Sequence, residues 1–142
     1  MENKVYKPLI DKSFYIIWVP TLILLAVSTV IATSAAAALL ILIATDVFTL
    51  YFLFSSLSAY AELREDCLYI KFGFLIKREI PYSKIRGLKK EHKIIAETIF
   101  SIKNALDHVV IKYNKFDAVT LSVKDNDSFI RALEERMSNN RI

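Results

Sequence analysis

The stretch FYIIWVPTLILLAVSTVIATSAAAALLILIATDVFTLYFLF, residues 14–54, decides how this chain is organised. Its 41 positions hold one charged residue, Asp46, and no glycine. As a single continuous helix it would run about 60 Å. That is twice the roughly 30 Å of a bilayer's hydrocarbon core, which about 20 apolar residues span. The stretch therefore predicts a transmembrane helical hairpin: a helix over 14–32, a tight turn over 33–36 and a second helix over 37–54. Tyr15 and Trp18 fall where the first helix would enter the interface, and Tyr51 near the exit of the second, as in interfacial aromatic belts. A cleaved signal sequence is the rival interpretation, since Lys12 precedes the run and Ser34-Ala35-Ala36-Ala37 offers small residues for cleavage. The apolar run is too long for it: signal cores hold roughly 7–15 apolar residues, and this one continues well past the small residues.

Outside the stretch the composition changes. Residues 58–142 hold 28 of the 34 charged side chains, 16 basic and 12 acidic, whereas residues 1–57 hold three of each. This separates a lipid-soluble part from a water-soluble part of about 85 residues, enough for one modest core. The flank over 1–13, MENKVYKPLIDKS, carries Lys4, Lys7 and Lys12 against Glu2 and Asp11, and basic residues resume at Arg64. By the positive-inside rule both ends are expected in the cytoplasm, with the uncharged turn outside. The division expected is a cytoplasmic flank (1–13), a two-helix hairpin (14–54) and a cytoplasmic domain (58–142), in a cell membrane protein with two spans.

Asp46 is the costly residue of the hairpin: an aspartate at the centre of a span costs about 2.5–3.5 kcal/mol on insertion scales. A turn centred near residues 33 and 34 sets Asp46 level with Thr21, with Ser28 and Thr29 nearer the turn. The expectation is a polar contact between Asp46 and Thr21, or a backbone carbonyl, that glues the two helices. A proton relay is the functional alternative, but relays use chains of ionisable groups, and Asp46 stands alone in the run.

The water-soluble part reads as short strands followed by a helix. Strands are expected from Tyr60, over 67–72 where apolar and polar residues alternate, over 74–80, over 83–88, over 109–113 and over 118–123. Gly73 suits a turn. Pro81 cannot donate to a ladder and belongs at a strand edge or bend. Residues 94–102 fit strand or helix. The end is an amphipathic helix: Asp125 or Asn126 can cap it, and Phe129, Ile130, Leu133 and Met137 share one face. The fold class is thus a membrane helical hairpin followed by a bent sheet or small barrel of six or seven strands, closed by a C-terminal helix.

That pattern resembles a bacterial pleckstrin-homology-like (PH-like) domain of the YyaB-like group. The likeness is carried by Tyr60, by Asp66-Cys67-Leu68 with Ile70 and Gly73, and by Ile80-Pro81-Tyr82-Ser83-Lys84-Ile85. It continues in Val109-Val110-Ile111-Lys112-Tyr113, Leu121-Ser122 and Phe129-Ile130-Arg131-Ala132-Leu133. It covers about residues 58–137, and members similarly carry membrane helices before the domain. Val123 stands where the family often has proline, from which a looser start to the last helix is expected, and Asp107-His108-Val109 replaces a stretch that usually carries arginine. The resemblance implies a non-catalytic interaction module. It extends to an immunity function, because the group includes a protein that protects a lantibiotic-type bacteriocin producer.

Between residues 77 and 93 the basic residues Lys77, Arg78, Lys84, Arg86, Lys89, Lys90 and Lys93 face only Glu79 and Glu91, a net +5 in 17 positions. Next to an anionic inner leaflet each basic group gains about 1 kcal/mol, so these seven are expected to form a membrane-facing patch, with an ordinary solvated face as the alternative. Nucleic acid uses similar residues, but a membrane tether argues against it. A cytosolic or membrane protein is the other partner expected.

No chemistry of a catalytic or metal site stands out. Cys67 is the only cysteine, and His92 and His108 the only histidines, too few for a zinc site of those residues alone. Asp107 and His108, as strand neighbours, point to opposite faces. Two glycines, Gly73 and Gly87, give no phosphate-cradling loop. The expectation is a protein without enzyme activity or cofactor, with a transport or channel subunit built around Asp46 as the alternative.

Overall fold

A computed structural model describes residues 3–32, 36–95, 98 and 100–140. Two long helices, α1 (Lys12–Ile31) and α2 (Ala36–Leu57), pack against each other as an antiparallel pair, and both are long and apolar enough to cross a membrane. The chain itself covers almost none of either one, which distinguishes them from the core helices of a soluble domain. At 22 residues α2 is about 33 Å long. The turn expected over 33–36 lies, apart from Ala36, outside the described residues.

The remaining elements form two four-stranded sheets. The first has the order β1 (Lys4–Tyr6), β2 (Tyr60–Leu63), β3 (Cys67–Phe72), β4 (Ile76–Pro81), antiparallel throughout. The second has the order β5 (Ile85–His92), β7 (Asp107–Tyr113), β8 (Asp117–Leu121), β6 (Phe100–Ile102). In it β6 runs parallel to β8 and the other pairs are antiparallel. The final helix, α3 (Asn126–Asn139), packs on β5, β7 and a single 3-10 turn, Tyr82–Lys84. There is no closed barrel: β4 and β5 are both edge strands, joined end to end by that turn.

One strand was not expected, and a stretch that fits strand or helix forms a strand in part. Residues 4–6, assigned to a flank, pair with β2 in the register Lys4↔Leu63 to Tyr6↔Ala61. Part of the ambiguous stretch 94–102 becomes β6. The strand expected over 74–80 begins only at Ile76, because Gly73 takes φ +63° and starts the turn, a conformation glycine adopts without strain.

The stretch from Ile80 to Ile85 is the corner between the sheets. Ile80, Tyr82 and Ile85 are buried in the shared core, while Ser83 and Lys84 face out. Pro81 ends the edge strand β4, where its missing N–H is tolerated. The Tyr82 hydroxyl donates to the Arg64 carbonyl at 2.6 Å, and burial pushes its pKa up to about 12.

Helix α3 is capped by Asp125, whose carboxylate accepts from the Ser128 amide at 2.9 Å. Phe129 and Leu133 are fully buried, with Ile130 and Met137 packed at the margin. The looser start expected from Val123 does not occur. The Val123 side chain is buried and its amide, which a proline would lack, donates to Asn126 Oδ1 at 3.2 Å.

Candidate functional site

The chemistry of this chain collects where the two helices meet the domain. Asp11 caps α1 by accepting from the Ser13 amide at 2.8 Å and from the Ser13 hydroxyl. Its second carboxylate oxygen accepts from the Leu106 amide, 95 residues away, at 2.9 Å. At the other helix, Ser55 and Ser56 are buried in the last turn of α2. The Ser56 hydroxyl donates to Asn104 Oδ1 at 2.5 Å, and Asn104 Nδ2 donates back to the Ser56 carbonyl at 2.9 Å. Asn104 is itself buried. Ser55 lies against Gly73 of the β3–β4 turn, so closely that a methyl group at position 73 would sit 2.8 Å from Ser55 Cβ. The rings of Phe52 and Phe72 meet at 6.2 Å between centroids. Both helix ends are therefore clamped by side chains of the domain.

Sequence reasoning passed over Asp11, Ser55, Ser56 and Asn104. A signal was present: a serine pair directly after an apolar run has no reason to leave water unless a polar partner waits for it.

Two effects act on the Asp11 carboxyl. Burial raises its pKa, but the hydrogen bonds from Ser13 and the Leu106 amide outweigh this and hold it below the usual aspartate value. A lowered folded value means the stabilisation is complete above the unfolded aspartate range near pH 4 and lost as pH falls through the lower folded value. Acidification should loosen α1 from the Leu106 corner, and Asp11→Asn should remove that acid response. Amide exchange at Leu106 against pH is the measurement. For Asn104→Leu the Ser56 carbonyl is left buried without a donor, at a cost of about 2 kcal/mol. Chemical unfolding of the detergent-solubilised chain checks it.

The sequence-predicted residues are not gathered as expected. Asp46 does not meet Thr21. Its Oδ2 accepts from the Thr29 hydroxyl at 2.8 Å, while Thr21 donates to the Ile17 carbonyl of its own helix at 2.7 Å. The helices are staggered, so that Thr21 shares a groove with Thr49, not with Asp46. In addition, helical side chains tilt toward their own N-terminus, which carries Asp46 toward the turn and Thr29 toward Asp46. The other Asp46 oxygen, Oδ1, is buried without a hydrogen-bond partner among the described residues, beside an open cavity of about 210 Å³ lined by Leu22, Leu25, Ala26 and Leu50.

The seven basic residues do not form one surface. Lys77 and Arg78 lie on β4, near the β3–β4 turn. Lys84 ends the 3-10 turn and Arg86 lies at the start of β5, about 20 Å along the strand from His92. His92 and Lys93 sit beside the Leu106 corner, where the Lys93 amide donates to the Leu106 carbonyl. Lys89 pairs with Glu91 at 2.6 Å, Lys93 approaches the same carboxylate at 3.7 Å, and Lys90 bridges to Asp127 at 2.7 Å. The hydrogen bond from Lys89 lowers the Glu91 pKa, and that from Lys90 lowers Asp127. Summing charge over 17 positions counted Glu91 without its pairing to Lys89 and left out Asp127, which arrives from α3.

Asp107 and His108 point apart as expected. Exposed Asp107 meets His92 at 2.6 Å, whereas buried His108 donates from Nδ1 to the Leu106 carbonyl at 2.8 Å and lies 3.7 Å from Glu91.

Two facing four-stranded sheets, a corner turn between them and a closing C-terminal helix define a PH-like domain, here carried on a pair of apolar helices. The chain belongs to the bacterial PH domain family, whose model matches residues 59–137, more than half of the chain. No curated protein and no solved structure matches it. The matched region begins just before β2, so β1 lies outside it and yet completes its first sheet.

Proposed function

We propose that this protein is a membrane-anchored interaction module without catalytic activity, in which a two-span hairpin holds the PH domain at the anionic inner leaflet to bind a protein or lipid there. The observation that carries this is the double clamp, Asp11 to Leu106 and Ser56 to Asn104. A flexible tether only raises local concentration; a clamped one also fixes which face of the domain meets the leaflet. Pairing of β1 with β2 supports placing both helix ends on one side of the membrane, because the strands flank the hairpin and share one sheet. The excess of basic residues after the hairpin supports the cytoplasmic side. Membership of the YyaB-like group, with an immunity role against a lantibiotic-type bacteriocin, is the version suggested by kinship.

Protease protection tests the arrangement. In inverted membrane vesicles the domain should be digested, in right-side-out vesicles it should survive, and the opposite pattern would reject the proposal. A pull-down from native membranes then asks for the partner, comparing the full chain with Lys77→Glu/Arg78→Glu. A partner retained by the first and lost by the second places binding on the leaflet-facing edge.

One observation favours a second role, as a subunit of a transport or channel complex: the unpartnered Asp46 oxygen beside its cavity. Asp46→Asn separates the two. In the anchor reading the variant inserts and keeps its partner, because asparagine still accepts from Thr29. Loss of partner or activity with insertion intact would make the hairpin the working surface.

A further inference from the structure

We propose that two loop tips beside the helix ends, Phe74-Leu75 and Ile94-Ile95, are apolar wedges that bury in the same leaflet the helices cross. This rests on the anchored reading above and adds a second, peripheral mode of membrane contact to it.

Phe74 and Leu75 form the β3–β4 turn and are 83% and 79% exposed; Ile94 and Ile95 follow β5 and are 78% and 76% exposed. Apolar pairs at loop tips are unusual in water, where turns favour polar residues and glycine. Their depth is set by what they touch. A side chain at Gly73 would collide with Ser55 and come within 3.3 Å of the Tyr51 hydroxyl, and the Phe72 ring lies tilted against Phe52. Ser55 and Tyr51 lie two and six residues before the end of α2, about 3 and 9 Å inside the helix. Ile94 lines a cleft with Ser13, Phe14, Ile17 and Trp18 of α1. Ser13 and Trp18, the ends of that range, lie one and six residues after the start of that helix, about 2 and 9 Å inside it. The tips thus reach the same level on different helices. Helices of 20 and 22 residues are about as long as the hydrocarbon core is thick, so that level falls in the outermost turns, where Trp18 and Tyr51 mark the boundary between headgroups and acyl chains.

Charge complements this placement. Lys77 and Arg78 follow the first tip and Lys93 precedes the second, the arrangement of an interfacial anchor with its apolar part in the acyl boundary and basic groups at the phosphates. Phe116 supplies an internal contrast. It is 88% exposed, but on the β7–β8 turn. That turn follows Tyr113, about 20 Å along β7 from Asp107 at the Leu106 corner.

The test places single cysteines at positions 74, 94 and 116 in the full chain with Cys67→Ser, with Phe48→Cys as a mid-helix reference. Leu75→Cys and Ile95→Cys repeat the measurement at each tip, and circular dichroism confirms each fold. Each variant is labelled with an environment-sensitive fluorophore and reconstituted, at high lipid-to-protein ratio, into vesicles of phosphatidylcholine and phosphatidylglycerol. The labels at 74 and 94 are expected to emit to the blue, to be quenched by acyl-chain nitroxides and to escape iodide present on both sides, as at 48. The label at 116 is expected to be quenched by iodide. Iodide quenching at either tip equal to that at 116 overturns the wedges while leaving the anchor intact, and iodide quenching at 48 overturns both.

Discussion

Replacing Phe129 by alanine is expected to cost the domain about 4 kcal/mol, as full truncation of a buried phenylalanine typically does. The side chain is fully buried from α3 and meets the Tyr6 ring edge-on at 5.1 Å. Such a ring pair adds roughly 0.5–1.5 kcal/mol beyond burial. Domains of this kind hold only about 5–15 kcal/mol in all, so the loss is a large share. It should also be uneven. Tyr6 is the one buried residue of β1, and its hydroxyl reaches the Ser128 carbonyl of the same helix at 3.4 Å. With the ring gone, β1 loses its platform before the rest of the sheet loses its partners. Amide exchange should therefore rise first at Lys4–Tyr6, followed by a lower midpoint for the whole domain. Phe129→Leu, which keeps most of the volume, should cost under about 1.5 kcal/mol. Equal exchange across both sheets in Phe129→Ala would show that β1 is held by its ladder alone.

The second large effect is expected at Gly73. Alanine there must accept φ +63°, at about 1–2 kcal/mol for an L residue. It must also push its methyl group into Ser55, an overpacking that typically costs about 1–3 kcal/mol. Together they amount to about 3 kcal/mol, concentrated at the clamp. The two causes can be separated. Ser55→Gly removes the colliding atoms but leaves the backbone strain, so the double variant should recover the overpacking part and keep the rest. Limited proteolysis near residues 58–59 reports whether the domain has come away from α2. If Gly73→Ala is stable and protease-resistant, the turn can retreat from Ser55 and the clamp is looser than its geometry implies.

Much of this architecture was legible because strong periodicities carry it. Two long apolar helices follow from a 41-residue run with one charge. Helix α3 follows from Asp125 and the spacing of Phe129, Leu133 and Met137, and β7 from its run of branched residues. Ile80, Tyr82 and Ile85 were read as part of a family pattern, and the structure supplies their reason as three core residues turning one corner. The rest depends on distances that no local pattern records. Three residues, Lys-Val-Tyr, are too few to show alternation, and their partner strand lies beyond the hairpin. Short β6 pairs in parallel with a strand some 20 residues on. Asp46 and Thr29 meet only because of stagger and side-chain tilt. The clamp joins residues 48 and 95 positions apart, which single-sequence patterning cannot bring together.

The pairing of β1 with β2 also bears on the order in which the protein assembles. Viewed along the backbone, the membrane pair is the loop of a β-hairpin, with 53 residues, 7–59, between Tyr6 and Tyr60. Closing a flexible loop of that length carries an entropic cost of about 3.5 kcal/mol beyond a constant term, more than three residues of ladder can repay. In the membrane-anchored protein proposed above, α1 and α2 side by side in lipid would already hold their domain-facing ends as neighbours, with most of that search done. Insertion would then precede completion of the sheet, with the bilayer as the jig on which the first and second strands are brought together. A soluble fragment beginning at residue 58 would lack that first strand altogether and would present β2 as a bare edge, open to pairing with another chain.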